Sequence, residues 1–259
     1  MTAEHTPAGR NYGSPVLPSF NTPLNAAVIG ASGSIGKALT TALCLLPSIG
    51  QVHALARDPA SLDLPATATR HKISLTEEQN IAAAAAQIAE TGPLHLVFIA
   101  TGMLHDETAQ PEKTWRQLDA AVMTQLFAIN TIGPALCAKH FLPLLAKQGK
   151  SACCLLSARV GSISDNRLGG WYSYRASKTA LNSLIRSMSI ELGRKNSQAV
   201  IAGLHPGTVA SNLSAPYSSG AATVFTPQQA AYHLLAVSDG LTPAVSGSVL
   251  AWDGSIIPA

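Results

Sequence analysis

Hydrophobic positions recur with two different periods along the chain, from residue 26 to residue 252. Short apolar runs bounded by Gly, Pro or Ser predict buried strands, and longer stretches with apolar residues three and four apart predict amphipathic helices. The predicted strands are 26–29, 51–56, 71–75, 94–100, 151–156, 199–204 and 247–252. The predicted helices are 35–46, 81–90, 114–129, a further helix ending at 146, 172–195 and 227–237.

This alternation of strands and helices predicts an α/β fold. We expect one domain, residues 26–259, with a doubly wound, mostly parallel sheet of seven strands and helices on both faces. Residues 1–25 are rich in Pro, Gly, Asn, Thr and Ser and lack periodicity, which predicts a flexible N-terminal tail. Residues 211–226 are rich in Ser, Ala and Gly and predict a mobile loop over a substrate.

The composition supports a layered fold and narrows the class of protein. Hydrophobic residues make up 47% of the chain and aromatic residues only 5%, which suits a sheet covered on both faces. The net charge is +3 and no basic block is interleaved with aromatic residues, so we expect no nucleic acid partner. The four cysteines have neither metal-site nor disulfide-framework spacing, which indicates no metal site and a reducing compartment. Without a signal peptide or an apolar run long enough for a bilayer, we expect a cytoplasmic protein that does not bind membranes.

A glycine-rich turn separates the first predicted strand from the first predicted helix. Glycine permits a tight turn and a close approach of phosphate to the backbone, and free N–H groups at a helix N-terminus attract an anion. A dinucleotide site is therefore favoured, with a purely structural turn as the alternative. The turn residues assigned to the cofactor are Gly30, Ser32, Gly33, Ser34, Ile35 and Gly36.

The residues after the second predicted strand bear on the choice of cofactor. An acidic residue here binds the ribose hydroxyl of NAD, whereas an Arg accommodates the additional phosphate of NADP. Arg57 follows the strand directly, which favours NADP. Asp58 keeps NAD as the less favoured alternative, because a strand one residue longer would present the acid instead. The other interpretation of Arg57 is a solvated loop charge.

A possible acid–base pair opens the helix predicted after residue 171. Tyr174 and Lys178 are four residues apart and therefore share one helix face. A nearby cation favours phenolate, so we expect Lys178 to lower the pKa of Tyr174, which could then exchange a proton with a carbonyl or an alcohol. The alternative is a surface Tyr and Lys on an ordinary amphipathic helix.

Several other candidates lie where strands end, at the edge of a parallel sheet that binds ligands. Thr101 and Ser157 follow the fourth and fifth predicted strands, beside the glycine-rich turn and Arg57. Asn130 interrupts a long apolar helical region, where an amide must be hydrogen bonded. It would either bond the backbone at a kink or hold a water beside Lys178.

Three motifs in this order make residues 26–257 resemble the short-chain dehydrogenase/reductase family: the glycine-rich turn, Tyr174-Arg175-Ala176-Ser177-Lys178 and Pro206-Gly207-Thr208-Val209. Three further segments look most like its C-factor and sniffer-type carbonyl reductase branch: Gly161-Ser162-Ile163, Gly169-Gly170-Trp171-Tyr172 and Asp253-Gly254-Ser255. The resemblance implies a Rossmann fold and a homodimer or homotetramer.

The resemblance also implies roles for individual residues. Tyr174 would be the general acid/base, Lys178 would bind the nicotinamide ribose, and Asn130 would hold a relay water. The segment of strand four that contacts the cofactor in the family corresponds to Ala100, Thr101 and Gly102, and the segment that contacts the nicotinamide corresponds to Pro206, Gly207, Thr208 and Val209.

The chain departs from the family pattern at the catalytic Ser. If Gly161 is aligned with the Gly that follows that Ser, the Ser position is Ala158, and Ser157 lies one residue early. A shift of one residue turns a strand side chain to the opposite face. A bend at the strand end could still bring Ser157 to the substrate, so we assign Ser157 as the fourth catalytic residue.

The leading hypothesis is an NADP-dependent oxidoreductase that reduces a ketone or aldehyde, or oxidises the matching alcohol. The alternative is an NADP(H)-binding sensor or signalling protein with little turnover, which Ala158 would explain. A dehydratase or epimerase ranks third, because the chain offers no large additional substrate domain.

Overall fold

The structure is a computed structural model that describes residues 16–107, 109–211, 214, 217 and 223–259. Its strands are β1 (Leu24–Ile29), β2 (Ile49–Ala56), β3 (Ala68–Lys72), β4 (Leu96–Ile99), β5 (Ser151–Leu156), β6 (Ala199–His205), β7 (Thr208–Val209), β8 (Val224–Phe225), β9 (Val249–Ala251) and β10 (Ile256–Ile257). Its α-helices are α1 (Ser34–Cys44), α2 (Glu78–Ala89), α3 (Ala120–Phe127), α4 (Gly133–Phe141), α5 (Tyr172–Lys195) and α6 (Pro227–Gly240).

Eight of these strands form one sheet in the order β10-β9-β6-β5-β4-β1-β2-β3. Every pair is parallel except β10 with β9, so the mostly parallel α/β fold is confirmed. The strand order reverses between β1 and β4, and a ligand crevice opens at such a point, outside the carboxyl ends of the strands. The sheet order therefore specifies where the functional site should lie.

The number of strands in the sheet differs from the predicted seven. β10 is an additional, antiparallel edge strand, and β7 and β8 pair with each other in a separate two-stranded sheet. Each of these three strands has only two residues, which is too short to show a hydrophobic period. The third strand was placed at 71–75, but β3 begins at Ala68, because this edge strand is mostly exposed and carries polar residues instead of an apolar run.

The boundary of the expected N-terminal tail also shifts. Residues 1–15 lie outside the described part of the chain. Leu17 and Phe20 are buried in the same hydrophobic cluster as β1 and α1. Packed residues therefore begin at Leu17, nine positions before the predicted first strand at residue 26.

Two hydrophobic clusters cover the two faces of the sheet. One packs β-strand side chains against α1 and α6, and the other packs the opposite face against α2, α4 and α5. Cys153 and Cys154 are fully buried on β5 and face opposite clusters, as expected for thiols in an apolar run. Burial raises the pKa of Cys154 to about 12, which leaves it an unreactive thiol.

The helical region between β4 and β5 differs in its bounds from the two predicted helices, 114–129 and a further helix ending at 146. A short 3-10 turn precedes α3, and a five-residue π-helical segment, Ala128–Ile132, joins α3 to α4. Together, Ala120–Leu144 form a 25-residue helical stretch that is long and apolar enough to cross a membrane. From the sequence we expected no apolar run of this length. The stretch is weak evidence for a membrane span, since core helices of soluble proteins pass the same test.

We expect the fold to lose stability as the pH falls from about 6.5 to about 4. Burial, and then the neighbouring His71, lower the pKa of His53 to about 4. Burial, and then the charge of Arg159, lower the pKa of His205 to about 4. In this range the unfolded chain binds protons that the folded chain does not, which costs about 2 kcal/mol per group at pH 5. Below pH 4 both states are protonated and these two groups cause no further loss.

Urea unfolding at pH 7 and pH 5 would measure this effect. The His53→Gln variant should lose less stability between the two pH values than the wild type, because it lacks one of the groups. His140→Gln, which alters a partly exposed histidine beside Glu78, is the control. Equal losses in the wild type and in His53→Gln would contradict the assignment to His53.

Candidate active site

The predicted site residues meet at the carboxyl edge of the sheet. The glycine-rich turn follows β1, Arg57 follows β2, Thr101 follows β4 and Ser157 follows β5. Tyr174 and Lys178 lie in the first turns of α5, and Lys178 Nζ donates to the backbone oxygen of Leu156 at 2.9 Å. This bond joins the start of α5 to the end of β5 and places both at the crevice.

The glycine-rich turn has the geometry expected of a phosphate cradle. A β-carbon on Gly36 would lie 2.1 Å from the backbone oxygen of Gly30, and one on Gly30 would lie 2.8 Å from that of Ala100. Gly30 also has a φ of +89°, which favours glycine. The N-cap of α1 is Gly33, which has no side chain to cap the helix, and Ser32, Gly33 and Ser34 are exposed. The free N–H groups of this helix end therefore fit a pyrophosphate.

Arg57 and Asp58 have different surroundings at the end of β2. The Asp58 carboxylate accepts from Ala60 N at 3.2 Å, a bond that closes its own turn. Arg57 is exposed, and within the described residues it makes no ion pair. Asp58 is exposed as well, but its carboxylate also bonds its own loop, whereas the Arg57 charge is available for an anion.

Tyr174 and Lys178 lie together in a buried position. Both side chains are buried, and Lys178 Nζ lies 6.0 Å from the centroid of the Tyr174 ring. A β-carbon on Gly102 would lie 3.4 Å from Lys178 Nζ and 3.6 Å from Asn130 Oδ1. Lys178 Nζ, the Asn130 side chain and Gly102 thus lie close together beside Tyr174.

Burial shifts the pKa values of this pair in the directions that favour neutral groups. It raises the pKa of Tyr174 to about 12 and lowers the pKa of Lys178 to about 8. Our expectation that Lys178 lowers the pKa of Tyr174 is therefore not met, because desolvation dominates. A neutral phenol is the form that can donate a proton to a carbonyl oxygen.

Asn130 lies in the π-helical segment and is fully buried. Its Nδ2 donates to Met103 O at 2.8 Å and to Ser177 Oγ at 3.1 Å, and its Oδ1 accepts from Met103 N at 2.8 Å. Both amide hydrogens are thus used within the protein. The side chain bonds the backbone of the strand-four loop, as one of the two interpretations expected, and π-helical segments are frequent at functional sites.

The structure turns Ser157 away from the position expected of a catalytic Ser. Ser157 Oγ donates to Asn182 Oδ1 at 2.6 Å, one helical turn beyond Lys178. Ala158 instead packs in a cluster with Leu104 and Tyr174. Consecutive residues of extended backbone point in opposite directions, so the methyl group of Ala158 occupies the side that faces the phenol. The catalytic role of Ser157 stays a prediction, which this geometry does not favour because the Ser157 hydroxyl bonds Asn182.

The remaining predicted cofactor residues also reach this edge. Thr101 Oγ1 is buried without a hydrogen-bond partner among the described residues. Buried polar atoms are normally hydrogen bonded, so this hydroxyl is suited to bond a cofactor. Pro206 and Gly207 link β6 to β7, whose Thr208 and Val209 pair with β8. Gly207 has a φ of +77°, and a β-carbon there would lie 2.8 Å from the Phe225 ring, so this turn requires glycine.

Aromatic side chains cluster around Tyr174. The Trp171 ring lies 6.2 Å from that of Tyr174 and 5.4 Å from that of Tyr217, both edge to face. Tyr217 is also 5.5 Å from His105, and its hydroxyl donates to Gln110 Oε1 at 3.0 Å. Tyr217 is one of the few described residues of the expected substrate loop, most of which lies outside the described part of the chain.

Two residues of this site were not identified from the sequence. Trp171 was noted only as part of a motif, and its φ of +52° shows that it adopts a left-handed conformation. Glu112 was not identified at all. The one signal in the sequence was its isolation, since it is the only acidic residue between Glu107 and Asp119. Its carboxylate is buried and bonds Ser173, the residue before Tyr174. No sequence spacing links residues 61 positions apart.

The chain is similar in sequence to several known proteins. A family model described as short chain dehydrogenase matches residues 24–222. The 1-hydroxy-2-glutathionyl-2-methyl-3-butene dehydrogenase of Rhodococcus sp. (strain AD45) is 32% identical over 202 residues, which cover 77% of this chain and 84% of the relative. The C-signal of Myxococcus xanthus is 36% identical over 141 residues, covering 54% of this chain and 81% of that protein.

Solved structures of similar shape include two carbonyl reductases. The NADPH-bound carbonyl reductase from chicken fatty liver superimposes with a TM-score of 0.80 and 26% identity, over 95% of this chain and 100% of the other. The carbonyl reductase Sniffer of D. melanogaster superimposes with a TM-score of 0.80 and 21% identity, over 92% of this chain and 100% of the other. The second similarity concerns the fold alone.

Proposed function

The chain belongs to the short-chain dehydrogenase family of oxidoreductases, and from this premise we propose that it reduces a ketone or aldehyde with NADPH, or oxidises the matching alcohol with NADP. The observation that carries this proposal is the buried Tyr174–Lys178 pair beside the glycine-rich cradle. A cofactor bound in that cradle would extend along the carboxyl edge towards the phenol, where the chemistry would occur.

The chain supplies acid–base chemistry and orientation. Bound NADPH would supply the hydride, and the substrate carbonyl would lie within hydrogen-bond reach of Tyr174. Tyr174 would donate its phenolic proton to the carbonyl oxygen as negative charge develops there. Lys178 would stabilise the phenolate that remains, and would bind the ribose hydroxyls with the donors not used by Leu156 O.

Asn130 would maintain the proton path rather than transfer the proton itself. Its side chain holds the strand-four loop next to Lys178, and the π-helical segment around it alters the regular helix bonding. A water at this segment would connect Lys178 to solvent and return a proton to Tyr174. Pro206, Gly207, Thr208 and Val209 would contact the nicotinamide amide.

NADP is the proposed cofactor because of Arg57. Its guanidinium is exposed beside the crevice, whereas Asp58 bonds its own turn. Arg is well suited to a phosphate, since it presents several donors in a fixed plane. The NADPH-bound chicken carbonyl reductase is consistent with this choice.

The test of the function combines binding with turnover. Titration calorimetry would measure the affinities for NADPH and NADH, and NADPH oxidation would then be followed with a panel of small ketones and aldehydes. NADPH binding with turnover on at least one carbonyl supports the proposal. Failure to bind either cofactor would exclude both the reductase and the sensor.

We expect Ser157 and Ala158 to respond oppositely to substitution. Ala158→Ser would introduce a hydroxyl on the side that faces Tyr174, where it could donate to the carbonyl oxygen, and should raise kcat about threefold to tenfold. Ser157→Ala should leave kcat within about twofold and lower the free energy of unfolding by about 1 kcal/mol, because Asn182 loses its hydrogen-bond partner. Steady-state kinetics and urea unfolding would measure both. A severe loss of kcat in Ser157→Ala would restore the original assignment of Ser157.

A specific observation also favours the second candidate, an NADP(H)-binding sensor with little turnover. With Ala158 facing Tyr174, the substrate oxygen would lack one of the hydrogen bonds that the family pattern supplies. Tight NADPH binding with no turnover on any carbonyl, unchanged in Tyr174→Phe, would favour this candidate. A homodimer or homotetramer and a cytoplasmic location remain predictions.

A further inference from the structure

The helix that carries Tyr174 begins without a cap of its own. The N-cap of α5 is Trp171, whose side chain makes no cap bond to the helix. The first N–H groups of a helix need acceptors, which an N-cap Ser, Thr, Asp or Asn normally provides through bonds to the second or third helical residue. Gly169, Gly170 and Trp171 all have positive φ values, so the chain enters α5 through a constrained turn.

Glu112, from the loop before α3, supplies the missing acceptors. Both of its carboxylate oxygens lie 3.3 Å from the backbone N of Ser173, the second residue of α5, and the Ser173 hydroxyl donates to the same carboxylate. The backbone oxygen of Glu112 accepts from Trp171 N at 2.5 Å. Glu112 thus bonds both the N-cap residue Trp171 and the second helical residue Ser173.

The burial of this carboxylate supports a specific role. Glu112 is only 4% exposed, and no Lys, Arg or His forms an ion pair with it among the residues that the structure describes. A buried carboxylate is costly unless it is well bonded. The positive end of the α5 dipole and the Ser173 donors provide the compensation.

The loop around Glu112 is itself held firmly. Lys113 N donates to Gln117 Oε1 at 2.7 Å, and Thr114 forms a capping box with Gln117. On the other side, Gln110 Nε2 donates to Asp106 O at 2.8 Å. The carboxylate that caps α5 therefore belongs to a well-bonded segment, which can hold the first turn of the helix in place.

We propose that Glu112 is a positioning residue that sets the first turn of α5, and with it the location of the Tyr174 phenol and the Trp171 ring. Tyr174 directly follows Ser173, and the Trp171 ring lies 6.2 Å from the Tyr174 ring, so a shift of this turn moves both. The inference rests on the proposed reductase function. Small displacements of a reacting group can lower a rate about 100-fold, which makes the first turn of α5 sensitive to its cap.

The test compares Glu112→Ala and Glu112→Gln with a control in the same loop. Glu107→Ala removes an exposed carboxylate five positions earlier and leaves α5 untouched. The measurements are kcat and KM with one carbonyl substrate, NADPH affinity by calorimetry, and hydrogen exchange of the peptide that covers residues 171–178. If Glu112→Ala does not fold, Glu112→Asp, whose carboxylate is one methylene shorter, takes its place.

We expect kcat of Glu112→Ala to fall about 10-fold or more, while NADPH affinity changes less than about threefold. Exchange in residues 171–178 should quicken more than exchange elsewhere. Glu112→Gln keeps an acceptor oxygen for Ser173 and should recover most of the lost rate.

A kcat of Glu112→Ala equal to that of Glu107→Ala, in a wild type that turns over, would overturn this inference and leave the proposed function intact. An equal loss of protection across the whole chain would likewise overturn it, since Glu112 would then serve general stability. A wild type that binds NADPH but reduces no carbonyl would overturn the proposed function and this inference with it.

Discussion

Replacement of Tyr174 by Phe should lower kcat for NADPH-dependent carbonyl reduction by about 10³-fold and leave NADPH affinity nearly unchanged. The substitution removes only the hydroxyl that would protonate the carbonyl oxygen. The ring that packs against Trp171 and Ala158 is kept, so the fold and the cofactor cradle should persist. Steady-state NADPH oxidation and calorimetry, performed on the same preparation, would measure the two quantities.

Tyr172→Phe is the matched control for this experiment. Tyr172 is the first residue of the same helix and is two residues from Tyr174, yet it points away from the acid–base pair, since i and i+2 positions lie on different helix faces. Its variant should retain kcat within about twofold. Equal activity of Tyr174→Phe and the wild type would show that another group donates the proton, and the Tyr174–Lys178 mechanism would have to be abandoned.

Replacement of Arg57 by Ala should weaken NADPH binding about 10- to 100-fold without changing NADH binding. A charge-assisted hydrogen bond contributes about 1.5–3 kcal/mol, and this contribution exists only for the cofactor that carries the additional phosphate. Calorimetric titration of each cofactor into the wild type and the variant would give the four affinities. The ratio of NADPH to NADH affinity is the quantity that changes.

Asp58→Ala tests the alternative that the sequence left open. The Asp58 carboxylate closes its own turn through Ala60 N, so its removal should alter neither affinity by more than about threefold. If Asp58→Ala instead weakened NADH binding and Arg57→Ala had no effect on NADPH, the acid would be the ribose ligand. NAD would then replace NADP as the proposed cofactor.

The π-helical segment shows how far local sequence predicts this site. Asn130 in an apolar helical stretch indicated a hydrogen-bonded interruption, and the structure places it in such a segment, with its amide on Met103 and Ser177. The sequence could not specify those partners, because both come from other elements. It likewise missed Glu112, whose partner Ser173 is 61 residues away along the chain.

The sequence by itself determined the features that depend on short-range geometry. The pairing of Tyr174 with Lys178 follows from helix periodicity. The cradle at Gly30 to Gly36 follows from its glycines, because a tight turn between a strand and a helix requires residues without side chains. The alternation of strands and helices likewise specified a mostly parallel sheet, with its ligand edge at the carboxyl ends.

Only the tertiary structure decided the features that depend on packing between distant elements. The direction of Ser157 was set by Asn182 on α5, which left Ala158 beside Tyr174. Burial by several elements raised the pKa of Tyr174, whereas its helix neighbour alone would have lowered it. Desolvation and strand-end orientation are sums over contacts from the whole fold, and one helix or strand cannot supply them.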